Sequence, residues 1–260
     1  MLLYEHPLSP YAQKVKIALR EKGIAFETSL PGGLGSGDAA NDFATTSPRA
    51  EVPSLIDGSA QIFDSTIILE YIEDKWPSPA LLPRDPVARA KARMIEDVCD
   101  THLEAINWGL GEIRFFGRAP GALEETLHTA ARAQLADIYR WLEARLGTGD
   151  WFNGDAFGWA DLSVVPYVNM SAFFGFPPPA GSLLDRWLAR VRLRPAVAQT
   201  LDEAIASTAG MGDYKALVEQ GVFKRQFRDH RLEWIIKSGG IQVVLDGLAR
   251  DNIRFTGPLA

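Results

Sequence analysis

Residues 1–28 constrain the fold more tightly than any other stretch, because they read as strand, helix and strand in immediate succession. Met1, Leu2, Leu3 and Tyr4 form a short apolar run suited to a buried strand. Ser9 then stands where an N-cap belongs, and Pro10 suits the first helical position, where its missing N–H costs nothing. Val15, Ile17, Ala18 and Leu19 give the helix an apolar side over 10–22, and Gly23 ends it. Residues 24–28 predict a second strand, and a helical crossover makes it parallel to the first. Ser9 thereby places a hydroxyl where free backbone N–H groups and the positive end of a helix dipole point, a setting that holds an anion or a thiolate.

The next segments extend the pattern. The glycine-rich loop 31–38 carries neither GxGxxG nor GxxxxGK, so it reads as a flexible surface connection and not as a phosphate cradle. Val52-Pro53 precedes a strand, a place where proline is tolerated only at an edge, at a strand start or as a cis residue in a turn. Asp57-Gly58 turns that strand into a hairpin whose second arm is 61–63. Asp64-Ser65 then opens a helix over 66–75.

Four prolines in 76–86 cannot continue a helix and mark a linker at 77–86. Beyond it the periodicity is helical throughout, over 87–109, 123–146, 161–174, 183–193 and 195–207. The expected architecture is therefore an α/β domain over 1–76, an all-α domain over 87–208 and an extension over 209–260. Asp161, in the first turn of an almost wholly apolar helix, reads as a folding residue facing unpaired N–H groups.

Composition narrows the function. A net charge of -6 and a pI near 5.3 argue against a nucleic-acid surface. No apolar run approaches the roughly 18 residues of a spanning helix, and no basic leader precedes the first strand, so a cytoplasmic protein without a membrane partner is expected. The single cysteine, Cys99, excludes an internal disulfide and reads as a buried, inert thiol. His6, His102, His128 and His230 show no ligand spacing, so no metal is expected.

Ser9-Pro10-Tyr11-Ala12-Gln13-Lys14-Val15, Val52-Pro53 and Asp64-Ser65, in this order and spacing, resemble three motifs of the glutathione transferase family. The resemblance covers 1–208, is closest to the serine-using tau class, and has omega-like features around Ser9-Pro10-Tyr11. It implies a thioredoxin-like domain followed by an all-helical one, glutathione as co-substrate, and a homodimer. By the same resemblance Ser9 donates its O–H to the glutathione sulfur as the catalytic residue. Val52, before a cis Pro53, pairs its backbone with the cysteinyl unit. Ser65 binds the γ-glutamyl carboxylate and Asp64 the α-ammonium. Many relatives carry lysine or glutamine where this chain has Glu51, and Arg49 reads either as a surface charge or as the substitute that meets the glycyl carboxylate. His6 can approach the thiol, although a histidine at a strand end is ordinarily exposed or satisfied.

A serine at position 9 cannot form a mixed disulfide, which leaves conjugation, peroxide reduction and ether cleavage as the expected chemistry. The alternatives are a glutathione-dependent ether-cleaving or lyase enzyme of a catabolic pathway and a glutathione-fold binding protein without turnover. The partner is a small hydrophobic electrophile in an apolar pocket, with Leu8, Tyr11, Met94, Trp108, Phe115 and Phe116 as expected lining. The extension, with basic amphipathic periodicity over 224–237 and a second helix over 241–248, is expected to pack on the helical domain and wall that pocket.

Overall fold

The computed structural model describes residues 1–32, 34, 42–222, 225, 227, 229–250 and 252–253. Strands β1 (Leu2–Tyr4), β2 (Glu27–Ser29), β3 (Ser54–Asp57) and β4 (Ala60–Phe63) form one sheet in the order β2-β1-β3-β4. β1 and β2 are parallel, and helix α1 (Pro10–Glu21) crosses between them. The β3–β4 hairpin returns antiparallel, turning at Gly58, whose φ of 61° a side chain would oppose. α2 (Asp42–Thr46), absent from the sequence reading, precedes β3, and α3 (Ser65–Lys75) follows β4. The second strand begins later than the apolar run suggests. Ile24 and Phe26 pack on the core from an irregular segment, and pairing starts at Glu27.

The segment after α3 is pinned by charge. Glu73 accepts the N–H groups of Leu81 and Leu82, each at 3.0 Å, and pairs at 2.7 Å with Lys22, which also donates to the carbonyls of Trp76 and Pro79. Helices α4 (Pro86–Val98), α5 (Glu104–Arg114), α6 (Ala122–Leu146), α7 (Trp159–Phe173), α8 (Leu183–Val191) and α9 (Pro195–Ser207) make the second layer. The helix expected over 87–109 is broken by a π-helical turn at Cys99–Leu103. Cys99 is fully buried, and burial raises its thiol well above the ordinary value. The extension holds α10 (Gly212–Glu219), α11 (His230–Lys237) and α12 (Ile241–Ala249). The first part of the helix expected over 224–237 includes 224, 226 and 228, which lie outside the described residues.

Helix α1 is the wall shared by both layers. Val15, Ala18 and Leu19 share one continuous core with Leu3, Leu55, Ile68 and Ile72, and α1 packs on α3, α7 and α9. α7 runs through the centre, as its unbroken apolarity demands, with Trp159, Leu162, Val165 and Val168 fully buried. At its start Asp161, 0% exposed, accepts from the Phe152 N–H at 2.9 Å, the Trp187 indole at 2.8 Å and the Gly158 N–H at 3.1 Å. Burial outweighs these bonds and pushes its carboxyl up to about 6.

The sign of the pH effect follows. The folded state keeps the Asp161 proton over a range where the unfolded chain has lost it, so stability falls as pH rises from about 4 to 6. The shift of about two units corresponds to about 3 kcal/mol. Asp161→Asn does not titrate. Its deficit relative to wild type is therefore expected to shrink by about that amount between pH 4 and 7 in urea melts.

Candidate active site

The turn between β1 and α1 is held by its own short-range bonds. Ser9 donates its N–H to the His6 carbonyl at 2.8 Å, and the Gln13 amide donates to the Pro7 carbonyl at 2.8 Å. The Ser9 Oγ accepts the Ala12 N–H at 3.3 Å as the N-cap of α1, which occupies a lone pair and leaves the hydroxyl hydrogen for another acceptor.

Two cavities meet at this turn. The larger, about 550 Å³, is lined by His6, Leu8, Ser9 and Tyr11 from the sheet domain and by Trp108, Phe115, Phe116 and Phe174 from the helices. The smaller, about 180 Å³, is lined by Arg49, Pro53, Phe63, Asp64, Ser65, Thr66 and Asp100. Tyr11, Glu51 and Val52 belong to both, so the two form one bent cleft. The Val52–Pro53 peptide is cis, and among the described residues nothing hydrogen-bonds the Val52 N–H or C=O.

Asp64, at φ 77°, caps α3 by accepting the N–H of Thr66 at 3.1 Å and of Ile67 at 3.4 Å. This leaves the N–H and hydroxyl of Ser65 at the smaller cavity without a partner among the described residues. A hydroxyl, a free N–H and a helix N-terminus together bind a carboxylate.

Most of the expected site residues thus converge on the cleft, and two do not behave as expected. Met94 lies on the outer face of α4, 60% exposed, and lines neither cavity, because α4 turns Ala92, Ile95 and Val98 inward instead. Arg49 lies at the Ser65 end of the cleft. Its guanidinium sits 5.1 Å from the Phe63 ring centre, 3.1 Å from Asp64 and 3.5 Å from Glu51, and it does not line the larger cavity. Its charge answers two carboxylates of its own chain. Nor is the loop at 31–38 only a surface connection. Pro31, Gly32 and Leu34 line the larger cavity, and the rest of it lies outside the described residues.

Several lining residues escaped the sequence reading. Met211 and Arg225 of the extension wall the larger cavity, and the Arg225 guanidinium stands 3.9 Å from the ring centre of Trp108 and 4.2 Å from that of Phe116. The Nε of Arg225 pairs with Glu112 at 2.6 Å.

Asp100 belongs to a buried network between the domains. The Lys14 ammonium meets Glu96 at 2.7 Å and Asp100 at 2.6 Å. Trp159 donates to Glu96, Thr66 donates to it at 2.9 Å, and Tyr167 donates to Asp100 at 2.7 Å. Burial alone would lower the Lys14 pKa, but the Asp100 and Glu96 carboxylates outweigh it and hold the ammonium charged. Burial pushes the Asp100 carboxyl up against the pull of Lys14. The backbone carbonyl of Asp100 accepts the Tyr11 hydroxyl at 2.7 Å, which ties the network to the wall of the cleft.

A four-stranded sheet in the order β2-β1-β3-β4 backed by an all-helical domain, with a helix-capping serine and a cis-proline turn at one cleft, defines a thioredoxin-like fold joined to a helical second domain. The chain belongs to the glutathione S-transferase family, since models of that family's N-terminal and C-terminal domains match residues 3–80 and 95–190. It is 32% identical to glutathione S-transferase U28 of Arabidopsis thaliana over 162 residues, which is 62% of this chain and 68% of that one. It is 29% identical to maleylacetoacetate isomerase of Pseudomonas aeruginosa, covering 80% of this chain and 93% of the relative. Among solved structures, a rice glutathione transferase in complex with glutathione superposes with a TM-score of 0.68 at 26% identity, covering 83% of this chain and 96% of that one. Dimerisation is typical of the family. Among the described residues no helix is long and apolar enough to cross a membrane.

Proposed function

We propose that this chain is a cytoplasmic, homodimeric glutathione transferase in which Ser9 stabilises the thiolate of glutathione for attack on a hydrophobic electrophile. The observation that carries the reading is the continuous cleft, with Ser9 lining its larger part, the unpaired Val52 backbone where the two parts join and Ser65 at the α3 N-terminus in the smaller part. Glutathione is an extended peptide with a thiol midway, and these groups follow in the order that such a peptide needs.

The γ-glutamyl carboxylate goes to Ser65 and the α3 N-terminus, with Arg49, held by Asp64 and Glu51, beside it in the smaller cavity. The α-ammonium goes to Asp64 and Asp100, which together with Glu51 are the carboxylates that line the smaller cavity. The cysteinyl unit pairs with Val52 as an added strand does. The thiol proton passes to solvent and the sulfur, held by the Ser9 O–H, bonds to the electrophilic carbon as its leaving group departs. Leu8, Tyr11, Trp108, Phe115, Phe116 and Phe174 supply the apolar surface on which the electrophile rests.

Ser65→Ala removes one charge-assisted hydrogen bond while sparing the backbone N–H, so glutathione is expected to bind about tenfold more weakly by calorimetry. Unchanged affinity would move the γ-glutamyl group elsewhere.

A further inference from the structure

Ser9 is not the only donor beside the larger cavity. His6 lines the same cavity, and its Nδ1 accepts the Leu8 N–H at 3.1 Å. A neutral imidazole whose Nδ1 accepts carries its proton on Nε2. His6 is kept neutral, since burial, reinforced by the Lys16 charge, lowers its pKa below the ordinary value. The Nε2–H meets no partner among the described residues, and it is not sealed in the core. Polar groups so placed are satisfied by a ligand or by water.

We propose that His6 is a second catalytic donor, whose Nε2–H hydrogen-bonds the glutathione sulfur alongside the Ser9 hydroxyl. The inference rests on the reading of the cleft given above. His6 is not the base. Accepting a proton at Nδ1 would break its bond to the Leu8 N–H, and the step is glutathione thiol to thiolate plus a proton released to solvent. Two donors on one sulfur lower its pKa further than one, as hydrogen bonds to the charged form do.

Two substitutions separate the donor from a scaffold role. His6→Asn sets Oδ1 in the place of Nδ1, keeps the Leu8 N–H bonded, and is too short to present a donor where Nε2 stood. His6→Gln presents an amide N–H near the Nε2 position and gives up the bond to Leu8. The thiolate absorbance of bound glutathione is titrated in wild type, both variants and Ser9→Ala. His6→Asn is expected to raise the thiol pKa by about one unit, a roughly tenfold loss of thiolate at neutral pH, while His6→Gln stays close to wild type. If Asn matches wild type, or if Gln shifts as far as Asn, His6 only shapes the turn and the inference fails. His6→Phe serves as the donor-free variant should the Asn protein not fold. A wild-type thiol that titrates as in free glutathione overturns the Ser9 reading and this inference together. A thiol that depends on Ser9 but not on His6 overturns this inference alone.

Discussion

Ser9→Ala is expected to lower kcat/KM for glutathione conjugation about thirtyfold, the largest loss of activity for any single atom removed from the cleft. A hydrogen bond to a charged group contributes about 2 kcal/mol, and each 1.36 kcal/mol is a factor of ten in rate. The loss should fall on kcat/KM at neutral pH and shrink at high pH, where the thiol ionises without help. Stability changes much less. The Ser9 Oγ caps α1 through one bond to the Ala12 N–H, a cap contributes about 1 kcal/mol, and Pro10 still starts the helix. Ser9→Thr, which keeps the hydroxyl, should recover most of the activity. Stopped-flow or steady-state conjugation of a chloronitrobenzene across pH 6 to 9 checks both statements.

The largest expected effect on stability lies at Lys14. Its side chain is 0% exposed and faces Glu96 at 3%, so Lys14→Met leaves the Glu96 and Asp100 carboxylates in the interior without their counter-charge. Breaking a buried pair from one side costs about 3–5 kcal/mol, which for a chain of this size lowers the melting midpoint by on the order of 10 °C. The pH dependence identifies the cause. The orphaned carboxylates acquire raised folded-state pKa values, so the deficit of the variant should shrink as pH falls and they protonate. Glutathione binding should weaken as well, because Asp100 lines the smaller cavity and its carbonyl holds Tyr11. Calorimetric melts of both proteins between pH 5 and 8 measure the stability difference.

The parts of this site that were legible in the sequence are those written locally. Ser9-Pro10 and Asp64-Ser65 are caps, and Val52-Pro53 is a turn; each signals itself within a few residues. The alternation of strand and helix over 1–75 and the helical periodicity beyond the prolines carried the architecture for the same reason. What depended on contacts far along the chain was not legible. Lys14 and Glu96 sit on amphipathic helices where charge normally means solvent, yet they meet across 82 residues. Periodicity marks Met94 as apolar without saying which side of α4 faces the cleft, and the inward side proved to be that of Ile95 and Val98. The π-helical turn at Cys99–Leu103 adds a residue to the helical turn and shifts the register, and no residue there announces it. Arg49 read as a surface charge or as the partner of the glycyl carboxylate, but its partner Asp64 lies 15 residues on, beyond the hairpin. The charge of Arg225 was plain, whereas its place against Trp108 and Phe116 follows only from how the extension returns to the helical domain.

A crystal structure of the chain with glutathione bound tests the central claim most directly. The account predicts the sulfur within hydrogen-bond reach of the Ser9 Oγ, the cysteinyl backbone paired with Val52, and the γ-glutamyl carboxylate on Ser65 beside Arg49. Glutathione seated with its sulfur away from Ser9, or with its γ-glutamyl end outside the smaller cavity, would contradict it.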